Sequence, residues 1–234
     1  MISVPAEADI PAEVLAIFVY GSVARGDADR RSDVDVLLIT TDVDLAGALQ
    51  LRHWCGSALA VETGAVGLYT MANAAVMADH GSPLLWHLKL EGRALFDRGG
   101  AVERLFRRLM TFRDYAAELL EYEGLLDDVR GAWDNDRGPS ELDLHVLHLV
   151  IRNTCILLSF LDGAPTFGRT SAAYDIKRRH RCLPLDETAY EELTEYHLLY
   201  VRGQGEARSI SREACETYLE MARAVVEFAK CRAI

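Results

Sequence analysis

The 234-residue sequence predicts an α/β (α+β) unit over residues 1–100 followed by an all-helical bundle over residues 101–234. Short apolar runs rich in β-forming residues alternate with polar stretches in the first part. In the second part apolar residues recur at three- and four-residue spacing, the period of a helix with one buried face. Between the two lies Gly99-Gly100, the strongest local break in the chain.

Taken in order, Ala16 to Tyr20 (AIFVY) reads as a buried strand stopped by Gly21. Val23 to Ser32 (VARGDADRRS) is charged and short of large apolar residues, as a loop with at most one helical turn should be. Asp33 to Ile39 (DVDVLLI) reads as a second strand, Leu45 to Leu59 as a helix, and Ala60 to Tyr69 as a third strand interrupted by Gly64 and Gly67. RALFD, after Gly92, adds an edge strand. Beyond residue 100, breaks near Gly138-Pro139, Gly163 to Gly168, Pro184 and Gly203 to Gly205 divide the chain into about four main helices.

Composition narrows the function. A net charge of -11, with acid in excess in both parts, repels a polyanion and makes nucleic acid a disfavoured substrate. The 5 cysteines are scattered without a CxxC pair, which predicts reduced thiols and a cytoplasmic setting and offers no zinc site. The first residues lack a basic segment followed by an apolar run, and no long uncharged apolar stretch stands out, so neither a signal peptide nor a membrane span is expected.

The stretch that carries chemistry is Gly21-Ser22, ten intervening residues, then Asp33-Val34-Asp35 running into the apolar strand Val36 to Ile39. Alternate residues of a strand face the same side, so Asp33 and Asp35 are expected to project together. Their mutual repulsion becomes attraction when they share a hard divalent cation. Asp-x-Asp recurs at Asp27/Asp29, Asp42/Asp44 and Asp134/Asp136, in loops or at helix ends; only Asp33/Asp35 opens an apolar strand. A glycine directly after a strand lets backbone amides approach a phosphate, and the Ser22 hydroxyl adds a donor. Arg25, three residues on, carries a fork of donors that suits a triphosphate.

The segment GSVARGDADRRSDVDVLL resembles the signature of the DNA polymerase β-like nucleotidyltransferase superfamily. The resemblance covers roughly residues 14–97 and implies a mixed sheet flanked by helices, a pair of magnesium ions, and ATP or another nucleoside triphosphate as donor. It implies that Gly21 and Ser22 bind the triphosphate and that Asp33 and Asp35 hold the metal. A third carboxylate normally completes such a site from a neighbouring strand. Glu62, the only acid between Asp44 and Asp79, is the candidate, as metal ligand or as acceptor of the attacking hydroxyl's proton.

A glutamate in this place, within Val61-Glu62-Thr63, is similar to the aminoglycoside adenylyltransferases that modify streptomycin and spectinomycin, which also append a helical domain. In residues 151–176 an arginine-bearing helix, a glycine turn and the Ala172-Ala173 pair resemble those enzymes, and Arg169 then stands where they place a phosphate-contacting lysine. The resemblance implies an adenylyltransferase-like enzyme acting on a small-molecule acceptor bound by the helical part, with Asp114, Glu118 and Glu121 as candidate contacts for a cationic acceptor. The motif is shared by minimal nucleotidyltransferase antitoxins, which adenylylate a partner protein, and by RNA and tRNA nucleotidyltransferases. No arginine here has a histidine at the spacing a HEPN-type nuclease requires. His145 and His148, three apart on an apolar helix, read as core histidines with no third metal ligand in view.

Overall fold

The computed structural model describes residues 5–26, 34–134, 138–203 and 211–233. The chain forms two compact units, Met1–Arg113 and Asp114–Ile234.

The first unit is built on a four-stranded mixed sheet in the order β3-β2-β1-β4. Strand β1 (Val14–Tyr20) pairs antiparallel with β2 (Asp35–Thr40) and with β4 (Arg93–Asp97), while β3 (Val66–Thr70) runs parallel to β2. A helical turn, α1 (Gly21–Arg25), follows β1 directly. Helix α2 (Leu45–Leu59) supplies the crossover that a parallel β2–β3 pair needs. Its start is capped by Asp44, whose carboxylate accepts from the Gly47 amide at 2.8 Å.

Both faces of the sheet are covered, which is why β1 and β2 read as continuous apolar runs rather than alternating ones. Ile17, Val19, Val36 and Leu38 pack with Leu51, Cys55 and Leu59 of α2. Ala16, Phe18, Leu37 and Ile39 pack on the other side with α3 (Met71–Asp79), α4 (Pro83–Glu91) and α5 (Ala101–Arg108). Arg98 ties the N-terminal turn to the sheet, donating to the carbonyls of Val14, Ile10 and Pro11.

Three elements differ from the sequence reading. The third strand begins at Val66, and the residues before it form a 3-10 turn over Thr63–Ala65. Residues 71–91, left without an assignment, fold as α3 and α4. The helix after Gly99-Gly100 belongs to the first unit, because Leu105 and Leu109 complete the apolar cover of the sheet; the division falls at Arg113.

The second unit comprises α6 (Tyr115–Asp134), α7 (Glu141–Leu161), α8 (Ser171–Arg179), α9 (Glu187–Arg202) and α10 (Arg212–Ala233). Helix α7 is its centre, packing against the other four. Length and composition would let α7 cross a membrane, but 61% of its apolar window is buried by its neighbours, as a central bundle helix demands.

Its start is over-determined. Ser140 and Asp143 form a reciprocal capping box, and the buried Asp143 carboxylate also accepts from Trp133 Nε1 at 3.0 Å. Asp143→Ala leaves a buried indole N–H without this acceptor and removes the cap. It is expected to cost about 3 kcal/mol, against about 1 kcal/mol for Ser140→Ala, read from urea unfolding.

The α7–α9 seam holds a histidine cluster. His145 Nδ1 and His197 Nδ1 are 2.9 Å apart, and the fully buried His148 stacks on His197 at 4.1 Å. The Tyr190 hydroxyl donates to the Arg169 carbonyl at 3.0 Å, so at 3.4 Å from His148 Nε2 it is left to accept. Burial first, then the neighbouring His197, Arg152, His145 and Arg169, hold His148 well below the ordinary histidine pKa; burial lowers His145 as well.

The unfolded chain takes up protons near pH 6.5 that the folded bundle refuses, so stability is full above that pH and is lost as pH falls below it. The expected slope is on the order of 1 kcal/mol per pH unit for each refused proton. Unfolding followed by circular dichroism between pH 7 and pH 5 should show this slope, made shallower in His148→Leu.

Candidate functional site

The strand alternation that buries Leu37 and Ile39 on one face of β2 puts Asp35 on that same face, at the first residue of the strand, where the core ends. Asp35 is half-buried, and it stands opposite Tyr20, the last residue of β1. Gly21 follows with φ +71°, and a Cβ there would lie 2.4 Å from Asp35 Oδ2. Only a residue without a side chain lets the Asp35 carboxylate lie over this turn. Ser22 comes next on the same turn, its carbonyl accepting from the Gly26 amide at 3.0 Å.

The carboxylate colours its surroundings. The Tyr20 hydroxyl is pushed up to about 12 by burial first, then by Asp35 and Tyr69. It is a neutral donor at any physiological pH, set beside an anion.

Asp33 lies outside the described residues, so its projection beside Asp35 rests on strand alternation alone. Glu62, expected within the third strand, is outside it: it is exposed and precedes the 3-10 turn that leads into β3. Strand β3 itself (VGLYT) holds no acid. Opposite Leu37 it carries Gly67, where a Cβ would come within 2.8 Å of the Leu37 side chain. Because β2 and β3 are parallel, Glu62 and Asp35 nevertheless enter the sheet from the same end.

Arg25, read as a triphosphate donor, gives an N–H to Glu91 Oε2 at 2.9 Å, and His87 Nε2 lies 3.2 Å from the same oxygen. Tyr20 meets the His87 ring edge-on at 5.5 Å. Sequence reasoning missed Tyr20, His87 and Glu91. The one local hint is a histidine and a glutamate one helical turn apart in a helix otherwise apolar but for Lys89.

Arg169 belongs to the second unit, in the loop between α7 and α8. Arg152 of α7 fixes this loop by donating to the Phe167 carbonyl at 2.7 Å. Arg152 and Arg169 both contribute to the positive surroundings of His148. Of the acids suggested as acceptor contacts, Asp114 and Glu121 are exposed, and Glu118 accepts from the Tyr122 hydroxyl at 3.2 Å.

The Asp35 carboxylate, at the first residue of a strand and over the glycine that opens the turn, is a hard oxygen donor of the kind that fits a magnesium ion. Among the described residues no group of three or more His, Cys, Asp or Glu converges as a metal cage. That is compatible with magnesium, which keeps several waters and shares its shell with substrate phosphates.

Residues 7–58 match the family model described as nucleotidyltransferase domain. Their span ends before Glu62 and includes Gly21, Ser22 and Asp35. No curated protein matches the sequence. Among solved structures, the spectinomycin adenyltransferase AAD(9) from Enterococcus faecialis, solved with ATP and spectinomycin, is similar over 94% of both chains with TM-score 0.52 at 9% identity. A toxin-antitoxin structure with AMP-PNP is similar over 53% of this chain and 91% of its own, with 22% identity and TM-score 0.34. The first likeness shows a common fold, and the family match places the similarity to a nucleotidyltransferase domain in residues 7–58 of the first unit.

Gly21→Ala and Gly26→Ala both force a positive φ on a residue with a side chain, at roughly 1–2 kcal/mol each in urea unfolding. Among the described residues nothing lies within 4 Å of a Cβ at Gly26, so the expected difference is local. A crystal structure of Gly21→Ala should show the Asp35 carboxylate rotated off the turn, and one of Gly26→Ala should show it in place.

Proposed function

We propose that the nucleotidyltransferase domain of this chain transfers a nucleoside monophosphate, AMP from ATP, to a hydroxyl of a small cationic acceptor in the presence of magnesium. The observation that carries this reading is the Asp35 carboxylate lying over Gly21, with Ser22 on the same turn, at the open end of a buried strand.

In this reading the Gly21-Ser22 turn receives the triphosphate: the glycine allows backbone approach and the serine hydroxyl donates to phosphate oxygen. Asp35, with Asp33, would hold magnesium, which when bound neutralises charge on the triphosphate and lowers the barrier to pyrophosphate departure. Glu62 is the carboxylate suited to accept the proton of the attacking hydroxyl, since it enters at the same end of the sheet and is exposed to an incoming acceptor. Arg169 and the acids of the helical unit are proposed to contact phosphate and acceptor respectively.

Support for a small cationic acceptor comes from two directions. The chain's net charge of -11 attracts cations and repels RNA. The solved protein that shares the fold over nearly the whole chain was captured with ATP and spectinomycin.

Calorimetric titration of ATP should show binding that requires magnesium and weakens by about a hundredfold or more in Asp35→Ala, the loss expected when a buried-edge charge contact to the metal is removed. Pyrophosphate release should then appear with one member of a panel of aminoglycosides. Equal ATP binding by the native chain and Asp35→Ala would rule this reading out.

A further inference from the structure

We infer that Glu91 is a positioning residue for the nucleotide turn, holding both flanks of Gly21-Ser22 against helix α4 through Arg25 on one side and His87 with Tyr20 on the other. The inference rests on the reading of that turn as the triphosphate site.

The geometry is compact. Glu91 closes the last turn of α4, and its Oε2 accepts from Arg25 Nη1 at 2.9 Å while His87 Nε2 lies 3.2 Å away. Arg25 is the last residue of α1, four positions after Gly21. His87, one turn before Glu91, packs edge-on against Tyr20, the residue just before Gly21. One carboxylate oxygen therefore links the residue that enters the turn and the residue that leaves it.

The side chains are well placed to hold. Arg25 and Glu91 are 20% and 17% exposed and His87 is 12% exposed, so the pair is shielded far more than the Glu103–Arg107 pair on the surface of α5, where both side chains are 69% exposed. Burial by itself would raise the Glu91 carboxyl, yet the adjacent His87 ring and the hydrogen bond from Arg25 outweigh it and hold the group below its ordinary value. A carboxylate kept ionised and occupied in this way is a poor general base and a good anchor.

The anchor also explains the direction Arg25 takes. Its guanidinium is engaged with α4 from the C-terminal end of a five-residue helical turn, too short to be stable as an isolated helix. Catalytic turns tolerate little displacement, since shifts of about 1 Å change rates by roughly a hundredfold. A fixed α1 keeps Ser22 and the Gly21 backbone at the register that Asp35 requires.

The test is a double-mutant cycle on the full chain with magnesium and ATP as the probe. Glu91→Gln and Arg25→Gln are each expected to weaken ATP binding about tenfold, and the double variant to be no weaker than the weaker single, because both remove the same linkage. Thermal melts run in parallel separate this from a general loss of stability: a structural ion pair would lower the melting temperature and leave the dissociation constant unchanged. If Glu91→Gln does not fold, Glu91→Asp takes its place, keeping the charge while withdrawing it from Arg25, and is expected to show the same non-additivity. An unchanged dissociation constant in a folded Glu91 variant, or effects that multiply in the double variant, overturns the inference. Failure of the native chain to bind magnesium-ATP at all overturns the function on which it rests, a distinct result.

Discussion

A carboxylate at the first residue of a strand buried on both faces is the constraint around which the first unit is arranged. Asp35 is half-buried at the head of β2, while Val36 to Ile39 behind it are fully enclosed. The sheet order puts β2 between β1 and β3, so that its body is enclosed and Asp35 stands at its leading end. Gly21 leaves out a Cβ that would collide with the carboxylate, and α4 packs on the same face of the sheet.

The parts of this arrangement that depend on local pattern were legible in the sequence. Helix α2 spans Leu45–Leu59 as its spacing implies, and β4 spans the RALFD edge strand. Gly21, Ser22 and Asp35 lie where a strand, a turn and a strand place them. Two continuous apolar runs pointed to strands covered on both faces, which the two core clusters provide.

What was not legible depends on long-range contact. Glu62 sits in a stretch of strand-like composition, but a 3-10 turn consumes Thr63–Ala65, so the strand starts later and the acid stands before it. Arg25 looked like a free donor because Glu91, 66 positions away, has no local signature that couples the two. Gly99-Gly100 is a genuine backbone break, with both glycines at positive φ, yet α5 folds back because the sheet needs Leu105 and Leu109. The histidines of α7 find their third member, His197, on a helix more than forty residues later, where the apolar period concealed it. They form a stacked seam of the bundle around the buried His148, and stacked rings direct few lone pairs toward a common point.

The most direct measurement of the central claim is anomalous diffraction from crystals soaked with manganese and a non-hydrolysable ATP analogue. The account predicts an anomalous peak within coordination distance of Asp35, with the triphosphate lying on the Gly21-Ser22 turn. A triphosphate bound elsewhere, or manganese sites that avoid Asp35, would contradict it.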